Sequence, residues 1–147
     1  MKNYAYQYCQ DYVTSRMERI QKQIDEVKIS LTSESKSTAG DKHETGRAML
    51  QLEREKLGQQ LLEAEKMQQT LKKVPIDIKP DKVVLGSRVQ TDNAAYYIAI
   101  SAGKFETNGA IVFCISASTP IAKLLLGKRI GETIIFNGIT SKIIEIN

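Results

Sequence analysis

Asp41 and Glu44 are the residues of this chain best suited to chemistry. They bracket its only histidine, His43, in the stretch TAGDKHETGR. On a helical turn, positions i and i+3 share one side. Two carboxylates so placed offer hard oxygen ligands to a cation such as Mg2+. They cannot hold it alone, because Mg2+ prefers six oxygen ligands and keeps several waters. An exposed pair therefore donates ligands to a metal site that another molecule completes. The same residues also suit a structural task. Asp followed three positions later by Glu, ahead of a helical run, is a capping-box arrangement with Asp in place of Ser or Thr. It would stabilise the helix start by about 1 kcal/mol, and both acids match the positive end of the helix dipole. The two readings are compatible, and the residue types leave both open. His43 by itself reads as a solvated turn residue.

Other sites of chemistry are missing from the sequence. It has no GxSxG, no Gly-rich phosphate loop and no HExxH. A Cys-His pair would need Cys9 or Cys114 to reach His43. Cys9 falls at the opposite end of a long helix, and Cys114 falls in a strand of a second domain. Self-contained catalysis is not expected. The two cysteines form no CxxC, so they are expected to be free, partly buried thiols in a reducing cytosol.

What positions the acids is a change of pattern along the chain. Tyr6, Cys9, Val13, Met17, Ile20, Ile24, Val27 and Leu31 recur at steps of three and four. That is a narrow apolar seam on one helix, roughly 40 Å long at 1.5 Å per residue. The seam stops at Leu31 and is followed by TSESKSTAG, which is small and polar. Leu50, Leu57, Leu61, Ala64 and Leu71 then mark a second, weaker seam, with Met49 and Met67 beside it. Two helices with narrow stripes must pack on each other, so residues 1–74 are expected to form an antiparallel coiled-coil hairpin with an acidic tip near 38–46. Pro75 and Pro80 mark a linker over 75–81. Residues 82–147 read as strands: VVLGSRVQT, AAYYIAIS, GAIVFCIS, TIIFNG and SKIIEIN are rich in β-branched and aromatic residues. Asn137-Gly138 is a hairpin signal. STPIAKLLLGKRIGE supplies one short helix, with Pro120 suited to its first turn and Gly127 to its end. The expected fold class is α+β: a helical hairpin, then a small mainly antiparallel sheet with one helix.

Composition narrows the function further. The chain has 147 residues and a formal net charge of +4. Positive charge is spread: thirteen Lys and Arg stand against eleven Asp and Glu in residues 1–73, and eight against six in residues 74–147. Neither half has the basic dominance of a dedicated nucleic-acid domain, so no sequence-specific DNA binding is expected. No apolar run approaches the roughly 18 residues of a membrane span. The start lacks the features of a secretory signal. A cytoplasmic location is the expectation.

Three segments carry a family likeness. SESKSTAGDKHETGRAMLQLEREK resembles the hairpin bend of the bacterial Gre (GreA/GreB) transcript-cleavage factors, whose tip has a G-D-x-x-E-N-A pattern. VVLGSRVQT resembles the V-x-L-G-S-x-V opening of the Gre C-terminal domain. ISASTPIAKLLLGKRIGETIIFNG looks like that domain's S-P-x-x-x-x-L-L-G-K-x-x-G-D segment, with Thr119, Pro120, Leu125, Leu126, Gly127, Lys128, Gly131 and Glu132 in register. The likeness runs in the same order through nearly the whole chain. It implies an N-terminal coiled coil and a C-terminal FKBP-like β domain. It implies a transcription elongation factor that binds RNA polymerase at the secondary channel, beside the nascent RNA 3′ end. It implies that Asp41 and Glu44 are lent to the polymerase's second Mg2+, held jointly, so that backtracked RNA is cleaved by the polymerase's own nuclease activity. The chain itself would not be an enzyme. FKBP-like here implies a docking module rather than a prolyl isomerase, with Tyr96, Tyr97, Phe105, Phe113 and Phe136 as core and sheet-face residues.

The chain departs from the family after the acids. Thr45, Gly46, Arg47 and Ala48 stand where the family has Asn, Ala, an acid and an aromatic. Two alternatives stay open on this ground: a channel-binding regulator without cleavage activity, and a coiled-coil adaptor that dimerises through Tyr4, Tyr8 and Tyr12.

Overall fold

The structure is a computed structural model describing residues 2–35 and 41–147, with the side chains of residues 34, 35 and 41–43 outside the description. Helix α1 covers Lys2–Ser35 and helix α2 covers Asp41–Lys72. Both seams found in the sequence become buried stripes. Ile20, Ile24 and Val27 of α1 pack with Leu57 and Ala64 of α2, flanked by Met17, Leu31, Leu50 and Leu61. Each such side chain gains roughly 1.5–3 kcal/mol from burial, and long polar side chains cover the remaining circumference. Tyr6 reaches Leu71, near the end of α2, while Leu31 lies beside Arg47 and Gln51 near its start. The helices therefore run antiparallel, as a hairpin. Helix α1 continues four residues past Leu31, where the sequence pattern fades. Thr32 is accommodated there by returning its hydroxyl to the Lys28 carbonyl at 3.0 Å.

Residues Arg88–Thr91 (β1), Ala95–Ala99 (β2), Gly103–Thr107 (β3), Ala110–Ser116 (β4), Thr133–Phe136 (β5) and Ile139–Ile146 (β6) form the strands, with helix α3 at Pro120–Leu125. The sheet order is β3-β4-β2-β1-β6-β5. Only β2 and β4 pair in parallel, with Tyr97 opposite Cys114; the other neighbours are antiparallel. The α+β expectation holds. Strand β3 is absent from the sequence reading, because Phe105 is its one large apolar residue and the strand lies on the sheet edge. Its signal was nevertheless present: Asn108-Gly109 turns β3 into β4 with φ of 50° and 79°. Asn137-Gly138 turns β5 into β6 with φ of 52° and 77°. Positive φ at both central residues is the type I′ geometry whose twist matches the strands.

The chain divides into two compact units, residues 13–67 and residues 1–12 together with 68–147. Within the second unit α3 covers one face of the sheet, and the other is covered over β2 and β4 while Ile135 of β5 stays exposed. On one face Val89, Ile98, Ile134 and Ile143 pack with Ile121, Ala122 and Leu125 of α3. On the other face lie Ala5 and Cys9 of α1, both fully buried, with Tyr97 and Cys114. Tyr8 donates its hydroxyl to the Ala102 carbonyl at 2.8 Å, and its ring centroid is 5.1 Å from that of Phe105.

Two glycines give opposite expectations. Gly86 has φ +90°, and a Cβ there would come within 2.8 Å of the Pro75 carbonyl oxygen. Gly86→Ala is expected to destabilise by about 2–3 kcal/mol. Gly58 lies inside α2 with open space around it. Gly58→Ala is expected to stabilise by about 1 kcal/mol. Urea denaturation followed by far-ultraviolet circular dichroism measures both.

Candidate functional site

Helix α2 begins at Asp41, so Asp41 and Glu44 occupy its first turn, one helical turn apart along the backbone. Glu44 and Thr45 are exposed, and Gly46 and Arg47 are half-buried. The side chains of Asp41, Lys42 and His43 lie outside the described residues, as does the chain at 36–40. The capping-box expectation falls there too. Among the described residues no group of three or more His, Cys, Asp or Glu side chains is placed to hold a metal ion. An exposed Glu one turn from an Asp fits Mg2+ in donor type but supplies too few oxygens, so the pair suits only a shared ion.

A groove of about 650 Å³ lies along the same part of the hairpin. Lys28, Arg47 and Arg54 supply its cations, and Glu55 its carboxylate. The surplus of positive charge makes the groove compatible with phosphate groups.

The motif segments of the β domain have definite structural tasks. In VVLGSR, Gly86 turns the chain tightly against Pro75. Its N–H donates to the Ile98 carbonyl at 2.7 Å, and the Val84 N–H donates to the Ser87 hydroxyl at 3.0 Å. Ser87 is fully buried, so this bond satisfies a side chain that water cannot reach. At the start of α3, Thr119 accepts from the Ala122 N–H at 3.3 Å and donates to the Ser116 carbonyl at 2.8 Å. Pro120 follows in the first turn, where its missing N–H costs nothing.

LLGKRIGE then works as a clamp. The Gly127 N–H donates to the Val83 carbonyl, and the Val83 N–H donates to the Lys128 carbonyl, both at 2.8 Å. The Gly131 N–H donates to the Ile143 carbonyl, and the Ile143 N–H donates to the Glu132 carbonyl. Gly127 and Gly131 hold φ of 84° and 91°, which side chains resist. Arg129 closes the segment with an exposed ion pair to Asp81 at 2.7 Å. That pair holds the Asp81 carboxyl below the usual carboxylate range.

The five aromatics of the β domain are distributed through the fold. Tyr97 is buried. Tyr96 and Phe113 stack at 6.0 Å. Phe105 meets Tyr8, and Phe136 packs on the α3-side core. Tyr8 is thus engaged inside its own unit, and Tyr12 lies 6.5 Å from it. Only Tyr4 of the three tyrosines proposed for dimerisation is strongly exposed.

The cysteines differ from the sequence expectation in one respect. They are free, but both are fully buried and lie side by side. Spacing along the chain carries no signal of that meeting, which arises only when α1 covers the sheet. No helix among the described residues is long and apolar enough to cross a membrane.

No family model matches the chain, and no curated protein is similar enough to count as a relative. Among solved structures, the transcription factor Gfh1 aligns with 92% of this chain and 91% of its own, at 17% identity and a TM-score of 0.38. So loose a superposition decides neither fold nor function.

Thr119→Ala is expected to cost about 1 kcal/mol, read by denaturation, because it removes the α3 cap. The Asp81 carboxyl should titrate below an ordinary aspartate by NMR and return to the ordinary range in Arg129→Ala. Its folded value is depressed, so the small stability the pair adds is present at neutral pH. That stability fades as pH falls through the folded value.

Proposed function

We propose that this protein is a Gre-like transcription factor that binds RNA polymerase at the secondary channel and lends Asp41 and Glu44 to the polymerase's catalytic centre. The observation that carries this reading is the acidic pair in the first turn of α2, with Glu44 exposed, on a helical hairpin. The Gre-like V-x-L-G-S and L-L-G-K-x-x-G segments follow in order in the β domain. The structural tasks of Gly86, Ser87, Thr119, Gly127 and Gly131 give that domain its shape. Glu44 has no hydrogen-bond or ion-pair partner among those described, which leaves it available to a partner molecule.

In this role the chain is not an enzyme. Its β domain, of FKBP-like type, docks on the polymerase. The hairpin brings two carboxylates close to the 3′ end of a backtracked RNA, and the basic groove of Lys28, Arg47 and Arg54 faces phosphate. The jointly held Mg2+ would supply Lewis-acid stabilisation and an activated water for phosphodiester hydrolysis. The chain's own contribution is to place the carboxylate oxygens.

A second reading has one observation in its favour. Arg47 and Gly46 stand where the family has an acid and Ala. A guanidinium one turn beyond the acids weakens their pull on a cation. On that reading the protein occupies the channel and restrains synthesis without cleavage.

Reconstituted elongation complexes carrying backtracked RNA test both. The wild-type protein is expected to accelerate RNA cleavage. Asp41→Asn should lower that acceleration roughly 10²-fold with polymerase binding retained. Asn caps a helix about as well as Asp, so the substitution separates a cap from a ligand. Equal cleavage by Asp41→Asn would remove the metal-ligand role. Slower RNA synthesis without cleavage products at any Mg2+ concentration would select the second reading. No binding to polymerase would reject both.

A further inference from the structure

Cys9 and Cys114 are the only two cysteines of the chain, separated by most of its length, and the fold brings them together. A buried residue touches roughly 6–12 others. In a chain of 147 residues, two unrelated cysteines would meet about one time in fifteen on that basis. The contact is built by several independent features. Tyr8, beside Cys9, donates to the Ala102 carbonyl at 2.8 Å. The Ala102 N–H in turn donates to the Cys114 carbonyl at 3.2 Å. The Cys9 and Cys114 thiols face each other closely enough to interact. Tyr97, opposite Cys114 in the β2–β4 register, closes the surroundings on the sheet side.

We infer that Cys9 and Cys114 form a thiol–disulfide site, which a two-electron oxidant of the peroxide class converts to an intramolecular disulfide joining the first turns of α1 to β4. The site is independent of the polymerase reading. In the first step the thiolate of one cysteine attacks one peroxide oxygen and the O–O bond breaks. A sulfenic acid forms at that sulfur and hydroxide leaves as water. In the second step the sulfur of the other cysteine attacks the oxidised sulfur. The S–O bond breaks, the S–S bond forms, and a second water leaves. Two thiols lose two electrons and two protons, and one peroxide is reduced to two waters.

The two thiols share one buried site, so either sulfur can be oxidised first while the other resolves it. Both are buried, so oxidation waits on local opening of the start of α1 and is slower than for an exposed thiol.

The experiment treats the reduced full-length protein with hydrogen peroxide and follows it by intact mass, non-reducing peptide mapping and thermal melting. The expected product is a monomer lighter by two hydrogens, with the Cys9 and Cys114 peptides cross-linked. Its melting temperature should rise by about 10 °C, because the closed loop spans most of the chain. Dithiothreitol should reverse both changes. Cys9→Ser should stop the reaction at a sulfenic acid that dimedone traps at Cys114. Thiols that remain reduced after prolonged treatment, that oxidise separately to sulfinic acids, or that cross-link between chains would overturn the proposal. The wild-type mass and peptide map decide it even if the Ser variant does not fold.

Discussion

A six-stranded sheet has two faces, and in this protein the β2–β4 part of the second one is buried by the first turns of α1. Helix α3 covers the face that carries Val89, Ile98 and Ile143. Tyr97 and Cys114 point the other way and are hidden by residues of the first turns of α1, among them Ala5 and Cys9. Leaving a side chain such as Tyr97 uncovered would forfeit a few kcal/mol of burial, a large fraction of a small domain's net stability. The sheet therefore depends on the helix start. This explains why residues 1–12 belong to the same compact unit as residues 68–147, although the composition of the chain changes near residue 74.

The same constraint gives α1 two chemically different stretches on one continuous helix. Its first turns use Ala5, Tyr8 and Cys9 against a sheet, where small residues permit close approach and a phenol reaches a backbone carbonyl. Farther along, Ile20, Ile24 and Val27 meet Leu57 and Ala64 of another helix through a narrow seam. A single period of three and four residues serves both tasks because each partner touches one stripe. The partner, flat sheet or round helix, selects the side-chain sizes on that stripe.

Most of the residues that give the sequence its family likeness are explained by folding alone. Gly86 is required by the approach of Pro75. Ser87 satisfies the Val84 N–H in a dry interior, Thr119 caps α3, and Gly127 and Gly131 adopt backbone angles hostile to side chains. A likeness made of such residues speaks for a shared shape. Asp41 and Glu44 differ in kind. Glu44 is exposed, and the first turn of a long helix already offers a positive dipole to any acid placed there.

Local periodicity was enough to determine both helices, their seams, α3 and the Asn-Gly turn before β6, because each depends on neighbours within a few residues. The residue types themselves also mark Asp41 and Glu44 as suited to a first helical turn, and α2 begins at Asp41. Tertiary structure alone decided what depends on distant partners. Strand β3 exists because β4 offers it an edge, although Phe105 is its one large apolar side chain. The parallel pairing of β2 with β4 comes from strand order, which no local pattern encodes. The Cys9–Cys114 contact was illegible for the same reason. A helix seam says that Cys9 is buried, and a strand pattern says that Cys114 is buried. Only the packing of α1 on the sheet makes the two burials one place.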